Sequence, residues 1–217
     1  MQQPRLFLDI ETIPDPTAVL LLPDPEAPSN YKDPAKIDAY VVEKRVKQLN
    51  RAALDPDTGQ ICAAAFQVGT GGVPTVLTHF KLDERAILDA AFAALASTQG
   101  RCVGYNILRF DLPFLLRRAF ALGMKLGELA AKLTQKRGAV EPVTDLMSIL
   151  YNWSLEDTKG LQFVVDRYGL GRDPAIAAVD HSMIKDLDEP TLMAVAADDV
   201  RATIELFDRM NSVYFNL

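Results

Sequence analysis

Apolar positions come as short runs of β-formers in the first third of the chain and as stripes of helical period in the second half. Leu6, Phe7, Leu8 and Ile10 make a run that fits a central strand covered on both faces. "GQICAAAFQVG" (59–69) and "VPTVLTHF" (73–80), joined by a Gly-containing turn, predict a hairpin. "DERAILDAAFAALA" predicts a helix with Asp83 near its start, and "RCVGYN" another short buried strand. Helical patterns follow at about 111–123, 145–151, 160–168 and from Glu189 to Met210. Between the first strand and the hairpin, residues 13–58 form a polar, proline-rich insertion with an amphipathic stretch from Lys36 to Ala53, more like a flap than a second domain. Strands first, then strands interleaved with helices, predict an α/β fold: a mixed β-sheet flanked by α-helices, in one domain over 1–217.

The first strand carries an anomaly. Asp9 and Glu11 interrupt its apolar run, and strand alternation puts positions i and i+2 on one face, roughly 7 Å apart. Two readings fit. Either the strand ends at Leu8 and both acids are solvated ahead of Pro14 and Pro16, or two adjacent anions sit at the end of a buried strand with a cation between them.

Other acids bear on that choice. Asp111 stands immediately before a helix with Pro113 in its first turn, where a carboxylate caps free backbone amides; Tyr105, Phe110 and Phe114 around it are core residues or stacking surfaces for bases. Asp145 in "VTDLMSIL" reads as another helix cap, with a supporting role near an acidic site as the alternative. On a helical wheel of the last helix, Asp199 is flanked by Leu192, Val195, Ala196, Val200, Thr203, Leu206, Phe207 and Met210, the only charge on the apolar face. Asp198 falls with Thr191 and Glu205 on the polar side and reads as a solvated acid. A lone buried carboxylate is costly without a partner, which points to a metal or a hydrogen-bonded cluster around Asp199.

Composition narrows the classes. At 217 residues and 49% hydrophobic, the chain can bury one substantial core. No apolar run reaches the roughly 20 residues of a membrane span, and the N-terminus has no export-signal pattern, so a soluble, cytoplasmic protein is expected. Cys62 and Cys102 lack CxxC spacing and read as buried thiols, and the two histidines are isolated, which argues against a nitrogen- or sulfur-ligated metal. The net charge of −6 argues against coating nucleic acid by bulk electrostatics. Locally, from Tyr105 to Val140, seven bases (Arg109, Arg117, Arg118, Lys125, Lys132, Lys136, Arg137) face two acids, Asp111 and Glu128. That stretch is a solvated helix face or a phosphate-binding surface.

Taken in order, "LFLDIETIPD", "YNILRFDLPFLLRRA" and "DDVRATIELF" resemble the three motifs of the DEDD superfamily of 3′–5′ exonucleases, built on the ribonuclease H-like fold. More narrowly, nearly the whole chain resembles exonucleases related to the proofreading domain of family B DNA polymerases. The resemblance implies that Asp9, Glu11, Asp111 and Asp199 are the catalytic residues and ligate two divalent ions, Mg²⁺ or Mn²⁺. It implies release of nucleoside 5′-monophosphates from the 3′ end of single-stranded DNA, or of RNA, with Thr12, Asn106, Arg109, Phe110, Phe114 and Arg117 as substrate-binding candidates. Oxygen-only ligands suit these hard ions independently of any resemblance. There is one departure. The family places a Tyr four residues, or a His five residues, before the last Asp; here these positions are Val195 and Ala194. Another group, with His181 and Tyr214 as candidates, then orients the attacking water, or catalysis is slow, or the domain is a weakly catalytic nucleic-acid-binding module.

Overall fold

The computed structural model describes residues 4–134, 138–154, 156–177 and 179–215. Strand β1 (Leu6–Pro14) is longer than its apolar run and carries Asp9 and Glu11 inside it rather than beyond its end. The predicted hairpin forms from β2 (Gly59–Val68) and β3 (Thr75–Thr78), antiparallel to one another, with β2 antiparallel to β1. On the other side of β1 lie β4 (Cys102–Gly104) and β5 (Val143–Asp145), both parallel. Among the described residues the sheet has five strands in the order β3-β2-β1-β4-β5. It is the mixed sheet flanked by helices expected from the sequence, of the ribonuclease H-like class.

Four of the described helices begin where a short polar side chain satisfies a free amide. Asp33 caps α1 (Pro34–Ala52), Asp83 caps α2 (Glu84–Ser97), Asp145 caps α5 (Leu146–Leu150) and Asp188 caps α8 (Glu189–Met210), each accepting from a backbone N–H two or three residues on. The other helices are α3 (Asp111–Ala121), α4 (Glu128–Leu133), α6 (Leu161–Tyr168) and α7 (Pro174–Ala177). Helix α4 and the 3-10 turns Ala18–Leu21 and His181–Asp186 are too short to leave a periodic signal.

Alternation along β1 divides the core. Leu6, Leu8 and Ile10 pack on one face with Ile87, Leu88 and Leu95 of α2 and Leu112 and Leu115 of α3. Phe7 points to the opposite face, toward α8, and meets Phe207 edge-on at 5.4 Å between ring centroids. Asp9 and Glu11 share that second face. The insertion lies on the surface: of α1 only Ala52 is buried. Its C-terminal end is pinned to the sheet by the Thr12 hydroxyl donating to the Ala53 carbonyl at 2.6 Å and the Thr58 hydroxyl to that of Ala52 at 3.1 Å. Both cysteines are buried free thiols. Among the described residues, no helix is long and apolar enough to cross a membrane.

Candidate metal centre

On β2, the residues opposite Asp9 and Glu11 are Ala65 and Ala63. These small side chains leave room for α8, whose Ala196 and Val200 pack against Phe7 and Ala65. Asp199 is thereby carried down onto the sheet. Carboxylate oxygens of Asp9, Glu11 and Asp199 lie within 4.8 Å of one another. Directly after Glu11 the β1–β2 register shifts, so that Cys62 is an extra residue on β2. Such a bulge bends the ladder, and here it falls between the site and Thr12, which anchors the insertion.

The fourth acid arrives from the other side of the sheet. Of β1, strand β4 pairs only with Leu6 and Phe7, and it stops at Gly104, so the Ile10 amide finds no strand on that side of β1. Instead it donates to Asp111 Oδ1 at 3.1 Å. The cap expected of Asp111 is therefore not its role: Asp111 is the first residue of α3, and its carboxylate completes the ladder of β1. The loop after β4 is held in turn by the fully buried Asp145. Besides capping α5 through Ser148, this carboxylate accepts from the amides of Asn106 at 3.2 Å and Leu108 at 3.1 Å. Asn106 takes a left-handed φ of 64° there, a conformation Asn tolerates better than most residues.

Crowding of like charge dominates the electrostatics. Burial, reinforced by Asp199, Asp111 and Glu11, holds the Asp9 carboxyl well above the usual carboxylate range. Burial followed by Asp199 and Asp111 does the same for Glu11. Asp111 is pushed up to about 7, chiefly by burial and further by Asp145 and Asp199, against the lowering effect of its backbone hydrogen bonds. The acids line a cleft of about 650 Å³, a size suited to a nucleotide-sized ligand. The residues present fit a divalent cation: the donors are oxygens, and they raise one another's pKa values. Asn106 Oδ1 on the same cleft wall is a buried acceptor with no hydrogen-bond partner among the described residues.

Arg172 enters the site without warning from the sequence. Its side chain is only 4% exposed, and its guanidinium donates to Asp198 Oδ2 at 2.5 Å, Asp199 Oδ1 at 2.5 Å and Gln162 Oε1 at 2.7 Å. Asp198 is thus not a solvated acid. It is buried, because the loop carrying Arg172 covers a flank of α8 that the wheel assigns to solvent. The available signal was the pair of adjacent acids directly after the apolar run Leu192–Ala197 in the middle of α8, which calls for a cation able to reach both.

The remaining candidates divide. Thr12, Asn106 and Phe110 line the cleft. Phe114 is wholly buried against the sheet and offers no face to a base. Arg117 pairs with Asp57, and Arg109 donates to the Ser154 carbonyl at 3.3 Å; neither lines the cleft. Arg118, counted with the basic stretch, is buried and clamps Glu84 at 2.7 Å and Asp15 at 3.2 Å. Lys136 and Arg137 lie outside the described residues, as does the side chain of His181; Tyr214 is half exposed. Val195 is wholly buried among Cys62, Ala63, Leu192 and Ile184, under the 3-10 turn His181–Asp186.

No family model matches the chain, and no curated protein matches it by sequence. Solved structures do. The family B DNA polymerase of the hyperthermophilic archaeon Pyrobaculum calidifontis superimposes with a TM-score of 0.62 at 20% identity, over 97% of this chain. This chain shares the fold of a segment of that polymerase. The segment is 25% of the polymerase's length, so the likeness concerns architecture and leaves the greater part of that protein without a counterpart here.

Proposed function

We propose that the chain is a metal-dependent 3′–5′ exonuclease that hydrolyses the last phosphodiester of single-stranded DNA and releases nucleoside 5′-monophosphates. The observation that carries this reading is the convergence of Asp9, Glu11 and Asp199 within 4.8 Å, with Asp111 beside them, in one cleft on a fold shared with a DNA polymerase segment. A protein that only bound nucleic acid would gain nothing from concentrating acids where phosphates approach.

Asp9, Glu11, Asp199 and Asp111 would hold the Mg²⁺ or Mn²⁺ pair. When bound, such ions supply a water of lowered pKa and positive charge against the leaving 3′ oxygen. The chain's own groups bind and orient the strand. Tyr105 and Phe110 present half-buried rings on the cleft wall, suited to stacking on the terminal bases. Lys185 and Arg51 are exposed cations at its rim, suited to phosphate. Asn106 lines the same cleft, and its side-chain amide is suited to the hydroxyl of a terminal sugar. The water oxygen forms the new bond to phosphorus and the P–O3′ bond breaks. The shortened strand keeps a 3′ hydroxyl, protonated at the expense of the water, and the freed nucleotide carries the 5′ phosphate.

The carboxylates serve ribose and deoxyribose alike, so the test has both arms: 5′-labelled DNA and RNA oligomers of one sequence with Mn²⁺, resolved on a denaturing gel. The reading predicts a ladder shortening from the 3′ end of DNA that chelator abolishes. A ladder on RNA alone reassigns the substrate, and intact strands in both arms remove the activity.

A further inference from the structure

The contacts of Arg172 exceed what neutralising one buried acid requires. Its guanidinium joins two helices, reaching Asp198 and Asp199 on α8 and Gln162 on α6. All three nitrogens are engaged, and the planar fork fixes the side chain in one orientation. One of these bonds lands on Asp199 Oδ1, an oxygen of the carboxylate that meets Asp9 and Glu11. A cation already stands on the carboxylate that the metal requires.

We infer that Arg172 is a resident counter-cation: it holds Asp199 in the metal-free protein, competes with the divalent ion for that carboxylate, and so sets the metal affinity of the site. The inference rests on the reading of the four acids as metal ligands and adds a determinant of their affinity. Charge supports it. Asp198 and Asp199 pair with this guanidinium, and Asp9, Glu11 and Asp111 line the same cleft. Asp198 cancels its charge, leaving four acids, which match two divalent ions. Geometry supports it too. Asp198 gives Arg172 an anchor that does not belong to the three-acid cluster, so the guanidinium can loosen its hold on Asp199 and remain buried in a salt bridge.

An ordinary structural clamp predicts the opposite consequence. If Arg172 only positioned Asp199, its loss would disorder a ligand and weaken metal binding. As a competitor, its loss strengthens binding. The deciding comparison uses the full chain and the R172Q/D198N double variant, which removes both members of the pair and leaves the formal charge of the protein unchanged. It removes Asp198 together with the cation, so that Asp199 alone loses its partner in the metal-free state.

Mn²⁺ binding is measured by electron paramagnetic resonance of the free ion, with circular dichroism to confirm the fold. The double variant is expected to bind Mn²⁺ about tenfold tighter than the wild type, because the ion no longer has to displace a charge-assisted hydrogen bond from Asp199 Oδ1. R172Q alone, with one more negative charge, is expected to bind tighter still. Equal or weaker binding by the folded double variant overturns the role of Arg172 and leaves the metal site standing. Absence of Mn²⁺ binding at millimolar concentration in both wild type and variant overturns the role and the metal site together.

Discussion

Asp111 shows how much a single carboxylate carries. One oxygen closes the ladder of β1 where β4 has ended, and the group stands among the other acids of the site with its pKa raised to about 7. Because Asp9, Glu11 and Asp111 titrate higher in the folded chain than in the unfolded one, the folded state binds more protons above the ordinary carboxylate range, for Asp111 up to about pH 7. Stability therefore falls as pH rises through that window. In chelator, the protein is expected to melt higher at pH 5 than at pH 8, and Asp111→Asn should make the decline shallower. A flat profile would mean the acids are not crowded. The two neighbours on α8 should separate as well. Asp199→Asn is expected to lower single-turnover cleavage by at least about a hundredfold, since a neutral amide cannot compensate the ions. Asp198→Asn should retain far more cleavage than Asp199→Asn but lose about 1.5–3 kcal/mol of stability in a denaturant melt, because the buried Arg172 loses one charge-assisted hydrogen bond and keeps only Asp199 as an anionic partner. Equal losses of activity in both would contradict the geometry.

Among the elements, β1 and α8 decide the site, and they differ in how far their sequence reveals them. Helix α8 was legible from end to end, since Asp188, Pro190 and an unbroken stripe mark it. The burial of Asp198 was not, because a wheel describes one helix and the loop bearing Arg172 comes from elsewhere. The acids of β1 were legible as a pair on one face, while the extent of the strand past them and the bulge after Glu11 were not: both depend on β2 pairing far along the chain. "CAAAF" on β2 was visible only as strand, although its alanines are what admit α8 to the sheet. Val195 follows the same logic. The position that bears a Tyr in the resembling family is sealed here by Ile184, Cys62, Ala63 and Leu192. Val195→Tyr is expected to cost about 1–3 kcal/mol through overpacking and to leave the cleavage rate no higher. A stable variant with a faster rate would show that the ring finds the cleft after all.

For the whole molecule, the cleft lies where a sheet that is antiparallel on one side of β1 and parallel on the other leaves a gap beyond β4. The insertion contributes a wall through residues 49–54. The basic stretch read from the sequence as one surface is three things in the fold: a buried clamp at Arg118, surface pairs at Arg109 and Arg117, and exposed lysines at 125 and 132. Charge counting along a chain cannot distinguish them, because the partners Asp15, Asp57 and Glu84 lie in other elements. If the acids bind metal, the folded protein alone gains the binding energy. At a hundred times Kd, Mn²⁺ should then add about 2.7 kcal/mol and raise the melting temperature. Identical melts in Mn²⁺ and in chelator would count against the site.

The central claim, that Asp9, Glu11, Asp111 and Asp199 form a divalent-metal centre, is tested most directly by anomalous diffraction from crystals soaked in Mn²⁺ with a nucleoside 5′-monophosphate. Two manganese peaks between the four carboxylates, with the phosphate bridging to them, are the result expected. A cleft without anomalous signal, in crystals whose Mn²⁺ appears elsewhere or nowhere, would contradict it.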